Sequence, residues 1–156
     1  MLRMLVFDID GTLANISHRL HHIKNKPKNW KLFNELSVND KPINHTIDLY
    51  QKLSIEHSSD HLAGKHMYIT IATGRSEDYR NITEKWLKDN GINFDAVYMR
   101  KSRDYRPDYI VKCEYIDYIY NDYQCMPDIW FDDRVQVVKA LRERGITVFQ
   151  VANGDY

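Results

Sequence analysis

The chain has 156 residues, 43% hydrophobic and 28% charged, a composition typical of a globular protein rather than a disordered one. Its 22 Lys and Arg balance its 22 Asp and Glu, which argues against coating nucleic acid through overall charge, although a local basic track remains compatible. Two cysteines outside any CxxC pair give no disulfide framework, and no apolar run reaches the roughly 20 residues of a membrane helix. We therefore expect a cytoplasmic protein with no membrane partner.

The first half of the chain holds two predicted strands separated by a long insertion. Apolar runs at residues 2–7 and 67–72 are typical of strands buried on both faces of a parallel sheet. Residues 14–40 are too short for a large cap domain and are expected to form a small cap-like insertion. Helical spacing of apolar residues then begins at Pro42, and residues 54–65 are predicted to be a surface connection.

The second half alternates helices with strands. In chain order, the predicted elements are a helix at residues 76–90, a strand at 96–99, a helix at 108–120, a strand at 129–131, a helix at 135–144 and a strand at 146–151. Such alternation implies one α/β domain with a central parallel sheet of about five strands, covered by helices on both faces. Because ligands of such sheets lie beyond the carboxyl ends of the strands, the polar residues after the first, second and fourth strands should converge.

Acidic residues stand at the ends of two of these strands. Asp8 and Asp10 follow the first, and Asp132 and Asp133 follow the fourth. Two carboxylates about 4 Å apart repel each other by roughly 4 kcal/mol at an effective dielectric constant of about 20. A divalent cation relieves this repulsion, and an all-oxygen site suits Mg²⁺. The pattern therefore favours a magnesium site over two sets of helix caps.

Four motifs, in order along the chain, resemble those of the haloacid-dehalogenase (HAD) superfamily. They are VFDIDGTL at residues 6–13, IATGR at residues 71–75, Lys112, and WFDDR at residues 130–134. The resemblance implies a Rossmann-like three-layer sandwich with a minimal cap. It also implies an enzyme that hydrolyses phosphomonoesters through an aspartyl-phosphate intermediate.

The same resemblance assigns roles to the motif residues. Asp8 would be the nucleophile, and Asp10 would protonate the leaving oxygen and later activate water. Thr73 and Lys112 would bind the phosphoryl oxygens, where charge develops. Mg²⁺ would be held by the Asp8 carboxylate, the Asp10 backbone carbonyl and Asp132, with Asp133 as a direct or indirect partner.

Within that superfamily, the chain is most similar to the 3′-phosphatase domain of bacteriophage-type polynucleotide kinase–phosphatases. The similarity rests on Arg19 after the first loop and on residues 99–112 and 132–156. It implies a substrate-facing set, since arginine forks bind phosphate at two points: Arg19, Gly74, Arg75, Arg100 and Asp108. The alternative for the arginines outside the motifs is pairing with local acids, Arg100 and Arg106 with Asp104 and Asp108.

The function that follows is removal of 3′-phosphates from DNA or RNA ends in repair. Two alternatives stay open: a mononucleotide (deoxynucleoside monophosphate) phosphatase, and a non-catalytic nucleic-acid or phosphate-binding domain on the same fold. A kinase is not expected, because Gly64 and Lys65 lack the earlier glycine of a Walker loop, where Ser59 stands. A separate kinase or ligase partner is compatible with the lack of a Walker loop.

Aromatic and histidine residues in the insertion have two possible roles. Trp30 and Phe33 lie three residues apart on a short predicted helix, so packing onto the core is favoured over stacking on a base. The histidines at 18, 21 and 22 are interpreted as solvated loop residues rather than as a metal site, because no second set of ligands accompanies them.

Overall fold

A computed structural model describes residues 3–62 and 67–154, with side chains described except at residues 56–62. Its main sheet has five parallel strands in the order β5-β4-β1-β6-β7. The strands are β1 (Met4–Phe7), the short β2 (Ala14–Asn15) and β3 (Lys41–Pro42), β4 (Tyr68–Ser76), β5 (Ala96–Arg100), β6 (Ile129–Asp132) and β7 (Thr147–Gln150). The short β2 and β3 pair antiparallel outside the main sheet. The predicted α/β fold is confirmed.

In the part of the chain that the structure describes, six α-helices accompany the strands. They are α1 (His21–Lys24), α2 (Trp30–Glu35), α3 (Asn44–Leu62), α4 (Arg80–Asp89), α5 (Asp108–Tyr123) and α6 (Val135–Glu143). Among the described residues, none of these helices combines the length and the apolar character needed to cross a membrane.

Two hydrophobic cores flank the sheet because successive side chains of a strand point to opposite faces. Leu5 and Phe7 of β1 belong to the core that includes residues of α3 and α4. Met4 and Val6 belong to the other core, which includes residues of α5 and α6. All four side chains are fully buried, so β1 is covered on both sides as its apolar sequence predicts.

The helix after the insertion departs from the prediction at both ends. Pro42 lies in β3, and α3 begins at Asn44. The surface connection predicted for residues 54–65 is wrong through Leu62, because α3 continues that far. Ser54 fits inside the helix because its hydroxyl donates to the carbonyl of Tyr50, 3.0 Å away. A helix exposed on one face tolerates such polar residues, and residues 63–66 lie outside the described part.

The second main-sheet strand is longer than the sequence predicts. β4 runs through Ser76, with an irregularity in its pairing with β5 between Ala72 and Ser76. A 3₁₀ turn, Glu77–Tyr79, follows, so the predicted helix over residues 76–90 begins later as α4. The Ser76 hydroxyl accepts from the backbone N–H of Asp78 and thus caps that turn. The motif at residues 71–75 is therefore irregular strand rather than loop.

The insertion has a small apolar cluster of its own. Ile16, Ile23 and Phe33 are buried together there, apart from the two main cores. The prediction that Phe33 packs inward is confirmed. The same prediction is wrong for Trp30, which is 49% exposed. Its ring lies edge-on to the Phe33 ring, with centres 5.8 Å apart, and the Lys28 ammonium lies 5.3 Å from its centre.

Candidate active site

The polar residues at the carboxyl ends of β1, β4 and β6 meet at one edge of the sheet. β1 lies between β4 and β6, so the ends of the three strands are neighbours. The backbone N–H of Asp8 donates to the carbonyl of Phe131, 3.0 Å away, which ties the first motif to the fourth. The convergence predicted from the strand pattern is therefore observed.

Three buried carboxylates form an acidic triad: Asp8, Asp132 and Asp133. Each offers one oxygen, and these oxygens all lie within 4.8 Å of one another. Burial raises the pKa of Asp8 well above its usual value; Lys112 opposes this, while Asp132 and Asp133 add to it. Burial likewise raises the pKa of Asp132, against the effect of Lys112. The carboxylates of the triad thus repel one another, and their oxygens are the ligand atoms that a divalent cation prefers.

Backbone crowds Asp133 from two directions. A Cβ atom added at Gly11 or at Gly154 would lie 2.1 Å from the Asp133 Oδ2 atom. Gly11 also adopts a φ of +84°, in the left-handed region that favours glycine. The N–H of Gly154 donates to the Asp133 carbonyl, 3.0 Å away. Glycine at these two positions is what allows the Asp133 carboxylate to take its place in the triad.

Lys112 projects from α5 into the acidic residues. Its Nζ lies 2.9 Å from an Asp8 oxygen, 2.7 Å from an Asp132 oxygen and 3.5 Å from an Asp108 oxygen. Burial lowers the pKa of Lys112, but the carboxylates of Asp132, Asp8 and Asp108 outweigh burial and raise it well above the usual value. The side chain is therefore a permanent ammonium at the base of the site.

Asp10 is held apart from the triad by two arginines. Its Oδ1 accepts from Nε and Nη2 of Arg75, at 2.9 and 2.5 Å, and from Nη2 of Arg19, at 2.7 Å. Burial raises the pKa of Asp10, but the charges and hydrogen bonds of Arg75 and Arg19 reverse this and lower it overall. Asp10 is a carboxylate in this state, with part of its side chain still exposed.

Asp40 completes this arrangement and is the residue that sequence reasoning missed. Its carboxylate accepts from Arg19, at 2.7 and 2.6 Å, and from Arg75, at 2.7 Å. Its backbone carbonyl accepts from the indole N–H of Trp86. We call Asp10, Asp40, Arg19 and Arg75 the arginine network. No motif marks Asp40, which is an isolated acid at the end of the predicted insertion.

Arg19 is enclosed, whereas Arg75 reaches the cleft. Arg19 is 0% exposed, its Nη1 donates to the Phe33 carbonyl, and its guanidinium carbon lies 4.1 Å from the centre of the Phe33 ring. It is not among the cleft-lining residues, in contrast to Arg75. Arg19 therefore contacts the site through its hydrogen bond to Asp10 and does not line the cleft.

Asp108 and Gly74 pack against each other beside this network. A Cβ at Gly74 would lie 2.4 Å from an Asp108 oxygen. Arg100 donates to the same Asp108 oxygen at 2.8 Å and to the Gly74 carbonyl at 3.0 Å. Arg106 pairs with Asp104 and Glu114. Pairing with local acids, the alternative considered for Arg100 and Arg106, is thus present for both.

Thr73 is buried at the irregular end of β4. Its hydroxyl oxygen accepts from the N–H of Arg75 at 3.2 Å, and its carbonyl accepts from the Tyr115 hydroxyl at 3.1 Å. These contacts fix the segment that carries Thr73 and Arg75 against α5.

The three insertion histidines differ from one another. His18 is partly exposed and its Nε2 lies 2.8 Å from an Asp40 oxygen, so its interpretation as a merely solvated residue is wrong. His21 and His22 lie in α1 rather than in a loop, with ring centres 3.8 Å apart. Within the described residues, the group that could hold a metal is the acidic triad, and no histidine belongs to it.

A cleft of about 540 Å³ opens above these residues. Asp8, Asp10 and Lys112 lie on its lining with parts of the insertion and of the β5–α5 loop. Buried charges at the base of a concave opening are the usual arrangement of a catalytic site.

Comparison with known proteins agrees with this geometry. The family described as the polynucleotide kinase PNKP phosphatase domain matches residues 2–156. Two solved structures of the Pnkp1/Rnl/Hen1 complex, one of them described as an RNA repair complex, align with TM-scores of 0.73 and 0.74 at 24% and 25% identity. The alignments cover 99% of this chain but 44% and 48% of those chains, so this chain spans less than half of their length.

More distant structures share the fold. L-2-haloacid dehalogenase from Xanthobacter autotrophicus aligns with a TM-score of 0.61 at 13% identity, over 97% of this chain and 78% of its own. A HAD family enzyme from Bacteroides thetaiotaomicron, crystallised with magnesium and inorganic phosphate, aligns with a TM-score of 0.54 at 14% identity, over 100% of this chain and 97% of its own. With the family match across nearly its whole length, this chain belongs to the polynucleotide kinase PNKP phosphatase-domain family and is a phosphatase of the HAD kind.

Proposed function

We propose that this protein removes 3′-phosphates from polynucleotide ends in a Mg²⁺-dependent reaction that passes through an aspartyl-phosphate on Asp8. The observation that carries the proposal is the acidic triad beside the Lys112 ammonium, buried at the base of the cleft. A nucleophilic carboxylate and a phosphate repel each other. A cation at the triad and the ammonium beside it offset that repulsion.

In the first step, an Asp8 oxygen forms a bond to phosphorus as the bond from phosphorus to the leaving 3′-oxygen breaks. Asp10 donates the proton that the leaving oxygen needs. In the second step, Asp10 takes a proton from water, and the water oxygen displaces Asp8 from phosphorus. The two arginines favour the carboxylate form of Asp10, which suits the second step. The first step requires that Asp10 be protonated when substrate is bound.

Thr73 and Lys112 are proposed to bind the phosphoryl oxygens during both steps. Lys112 suits this role because its ammonium already contacts Asp8 and is held charged by its neighbours. Thr73 lies two residues before Arg75, at the same end of β4. Positive charge and donors fixed at that point stabilise the charge on the transferring group.

Mg²⁺ is proposed to bind the carboxylates of Asp8, Asp132 and Asp133 and, following the HAD resemblance, the backbone carbonyl of Asp10. When bound, it supplies the positive charge that lets an anionic nucleophile approach phosphate. Oxygen donors at this spacing suit a hard cation. The magnesium in the related Bacteroides thetaiotaomicron enzyme supports the choice of metal.

The substrate-binding proposal applies differently to each residue of the predicted set. Gly74, Arg75, Arg100 and Asp108 line the cleft and are proposed to lie around the substrate end. Arg19 is fully buried, so we propose that it positions Asp10 rather than contacting substrate.

A polynucleotide end is the preferred substrate because of family membership and the Pnkp1 structures found in an RNA repair complex. We propose a single domain over residues 1–156, with residues 14–40 as a small cap that leaves the cleft open. A separate kinase or ligase is proposed to act beside it.

A substrate panel tests the proposal directly. Purified protein with Mg²⁺ would be given a 3′-phosphorylated oligonucleotide, 3′- and 5′-mononucleotides and p-nitrophenyl phosphate, with phosphate release as the measurement. We expect the highest kcat/KM on the oligonucleotide. Equal or higher kcat/KM on mononucleotides would favour the mononucleotide phosphatase, and no turnover of any ester would favour a binding domain.

A further inference from the structure

The cleft is far more basic than the chain as a whole. Its lining includes nine Lys or Arg side chains and five Asp side chains, a surplus of four positive charges in a protein whose formal net charge is +0. Positive charge concentrated in a concave surface attracts polyanions, and the overall composition does not reveal it. Part of this surplus belongs to the base of the site, but part lies farther out.

Five exposed cations lie on the lining, and one of them, Lys31, pairs with Glu35. We call Lys28, Lys101 and Arg103 the basic rim. All three are exposed, and within the described residues none forms an ion pair with a carboxylate. Lys28 instead lies over the Trp30 ring and Lys101 over the Tyr118 ring. Arg106, by contrast, is neutralised by Asp104 and Glu114. The basic rim thus retains charge for a ligand.

The β5–α5 loop, which supplies part of the cleft lining, is held in one shape. Arg103 has a φ of +62°, which non-glycine residues rarely adopt, in a turn closed by the bond from the Asp104 N–H to the Lys101 carbonyl. The Ser102 hydroxyl bonds to Asp78 across the cleft lining. A charged residue in an unfavourable backbone conformation, in a loop tied down on both sides, is a sign of function.

Two large aromatic rings are exposed in the same cleft. Trp30 is 49% exposed and Tyr105 is 88% exposed, and both line it. One comes from the insertion and the other from the β5–α5 loop. Aromatic rings alternating with cations along a groove are how proteins bind single-stranded nucleic acid, by stacking on bases and neutralising backbone phosphates.

We infer that the basic rim with Trp30 and Tyr105 binds the nucleotides that precede the 3′-phosphate of a single strand; this rests on the proposed function. A mononucleotide has one phosphate, which the base of the cleft takes, and leaves the basic rim without a partner. Unpaired bases are needed because a base inside a duplex cannot stack on a protein ring. The occupant is therefore a single-stranded end several nucleotides long.

A charge-removal experiment tests the basic rim. The triple variant Lys28→Ala/Lys101→Ala/Arg103→Ala is compared with Lys52→Ala/Lys88→Ala/Lys139→Ala, which removes the same charge from exposed positions that do not line the cleft. Substrates are a 3′-phosphorylated single-stranded decanucleotide, a 3′-mononucleotide and p-nitrophenyl phosphate. We expect kcat/KM on the decanucleotide to fall about tenfold in the first variant only, with the other two substrates changed less than about twofold. In the first variant, the slope of log kcat/KM on the decanucleotide against log salt concentration should become shallower by about 2, because three phosphate contacts are lost.

Aromatic variants test stacking. Trp30→Ala and Tyr105→Ala are each expected to reduce kcat/KM on the decanucleotide by roughly fivefold to 150-fold. Tyr120→Ala, at a residue 48% exposed on α5 and outside the cleft lining, should have no effect. Because Trp86 and Trp130 are buried, binding of the decanucleotide to an Asp8→Asn protein should quench mainly Trp30 fluorescence. The quench should disappear in Asp8→Asn/Trp30→Phe.

Every outcome decides the inference. Equal losses on all three substrates, or equal effects of the two triple variants, would overturn it, as would equal activity on a blunt duplex and a single strand. If wild-type protein releases phosphate from p-nitrophenyl phosphate but not from the decanucleotide, the 3′-end function fails and the inference fails with it. If the wild type acts on the decanucleotide and the basic-rim variant does so equally well, only the inference fails.

Discussion

The acidic triad and the arginine network lie side by side but are electrostatically opposite. In the triad, three buried carboxylates lie together and the Lys112 ammonium contacts two of them. In the arginine network, two carboxylates face two guanidinium groups, and burial there is compensated by paired charge. The pKa of Asp8 is raised and the pKa of Asp10 is lowered, although both carboxylates line the cleft and lie two residues apart. The triad carries an excess of negative charge that an added cation would offset, whereas the charges of the network balance.

The largest expected effect is the loss of turnover in Asp8→Asn. The change removes the proposed nucleophile while keeping its shape, so activity should fall by about 10⁴-fold or more. It also removes one of the repelling carboxylates, so the melting temperature without metal should stay level or rise. Phosphate release and thermal unfolding measure both effects, with Asp117→Asn on α5 as a control. Normal turnover in Asp8→Asn would contradict the proposed role.

We expect removal of the metal to affect the acidic triad and not the arginine network. EDTA is expected to stop phosphate release, and excess Mg²⁺ to restore it. Mg²⁺ at about 100 times its dissociation constant should stabilise the wild type by about 2.7 kcal/mol, measured by denaturant unfolding. The same addition should have little effect on Asp132→Asn. Full activity in EDTA would rule out the metal role.

Asp40→Asn should have the opposite stability effect to a change in the triad. It leaves Arg19 and Arg75 buried with less compensating charge, so unfolding free energy should fall by about 3–5 kcal/mol. Turnover should also fall because Asp10 loses its fixed position. Asp132→Asn, in metal-free protein, should change stability by no more than about 1 kcal/mol. Equal destabilisation by the two variants would show that the regions do not differ as described.

The smallest expected effect comes from Gly154→Ala. The new Cβ would lie 2.1 Å from Asp133 Oδ2 and 2.9 Å from the Asp133 backbone carbon, so that carboxylate must move. The Mg²⁺ concentration for half-maximal activity should rise about tenfold, while kcat at saturating Mg²⁺ stays within about twofold. Asn153→Ala, at the exposed neighbouring position, is the matched control. An unchanged Mg²⁺ requirement would argue against Asp133 as a ligand.

The triad could be predicted from sequence because its members follow directly from strands. Asp8 and Asp132 end apolar runs, and adjacent parallel strands bring such ends together. The arginine network could not be predicted in full. Asp40 follows a 3₁₀ turn with no periodic pattern, and its partner Arg75 is 35 residues away in sequence. Only the packing of the insertion brings them together.

The same limit explains the errors outside the site. The polar residues at 54–62 predict a surface connection, yet α3 continues to Leu62, because most polar residue types are also compatible with a helix. The spacing of Trp30 from Phe33 predicts that both rings pack inward, but Phe33 joins the small cluster whereas Trp30 stays 49% exposed. Local pattern predicts the buried strands of the main sheet more reliably than it predicts the structure of polar segments or the burial of single side chains.

Arg19 links Asp10, the proposed catalytic acid, to the insertion, because its guanidinium donates both to Asp10 and to the Phe33 carbonyl. The insertion's cluster is small, and regions with few buried contacts open more readily than a central strand such as β1. Hydrogen exchange should therefore be faster at the amides of α2 than at those of β1. Each local opening of α2 would weaken the hold of Arg19, one of the two arginines that fix Asp10, while Asp8, the proposed nucleophile, stays in place. We therefore expect phosphatase activity to depend on whether this peripheral segment is folded.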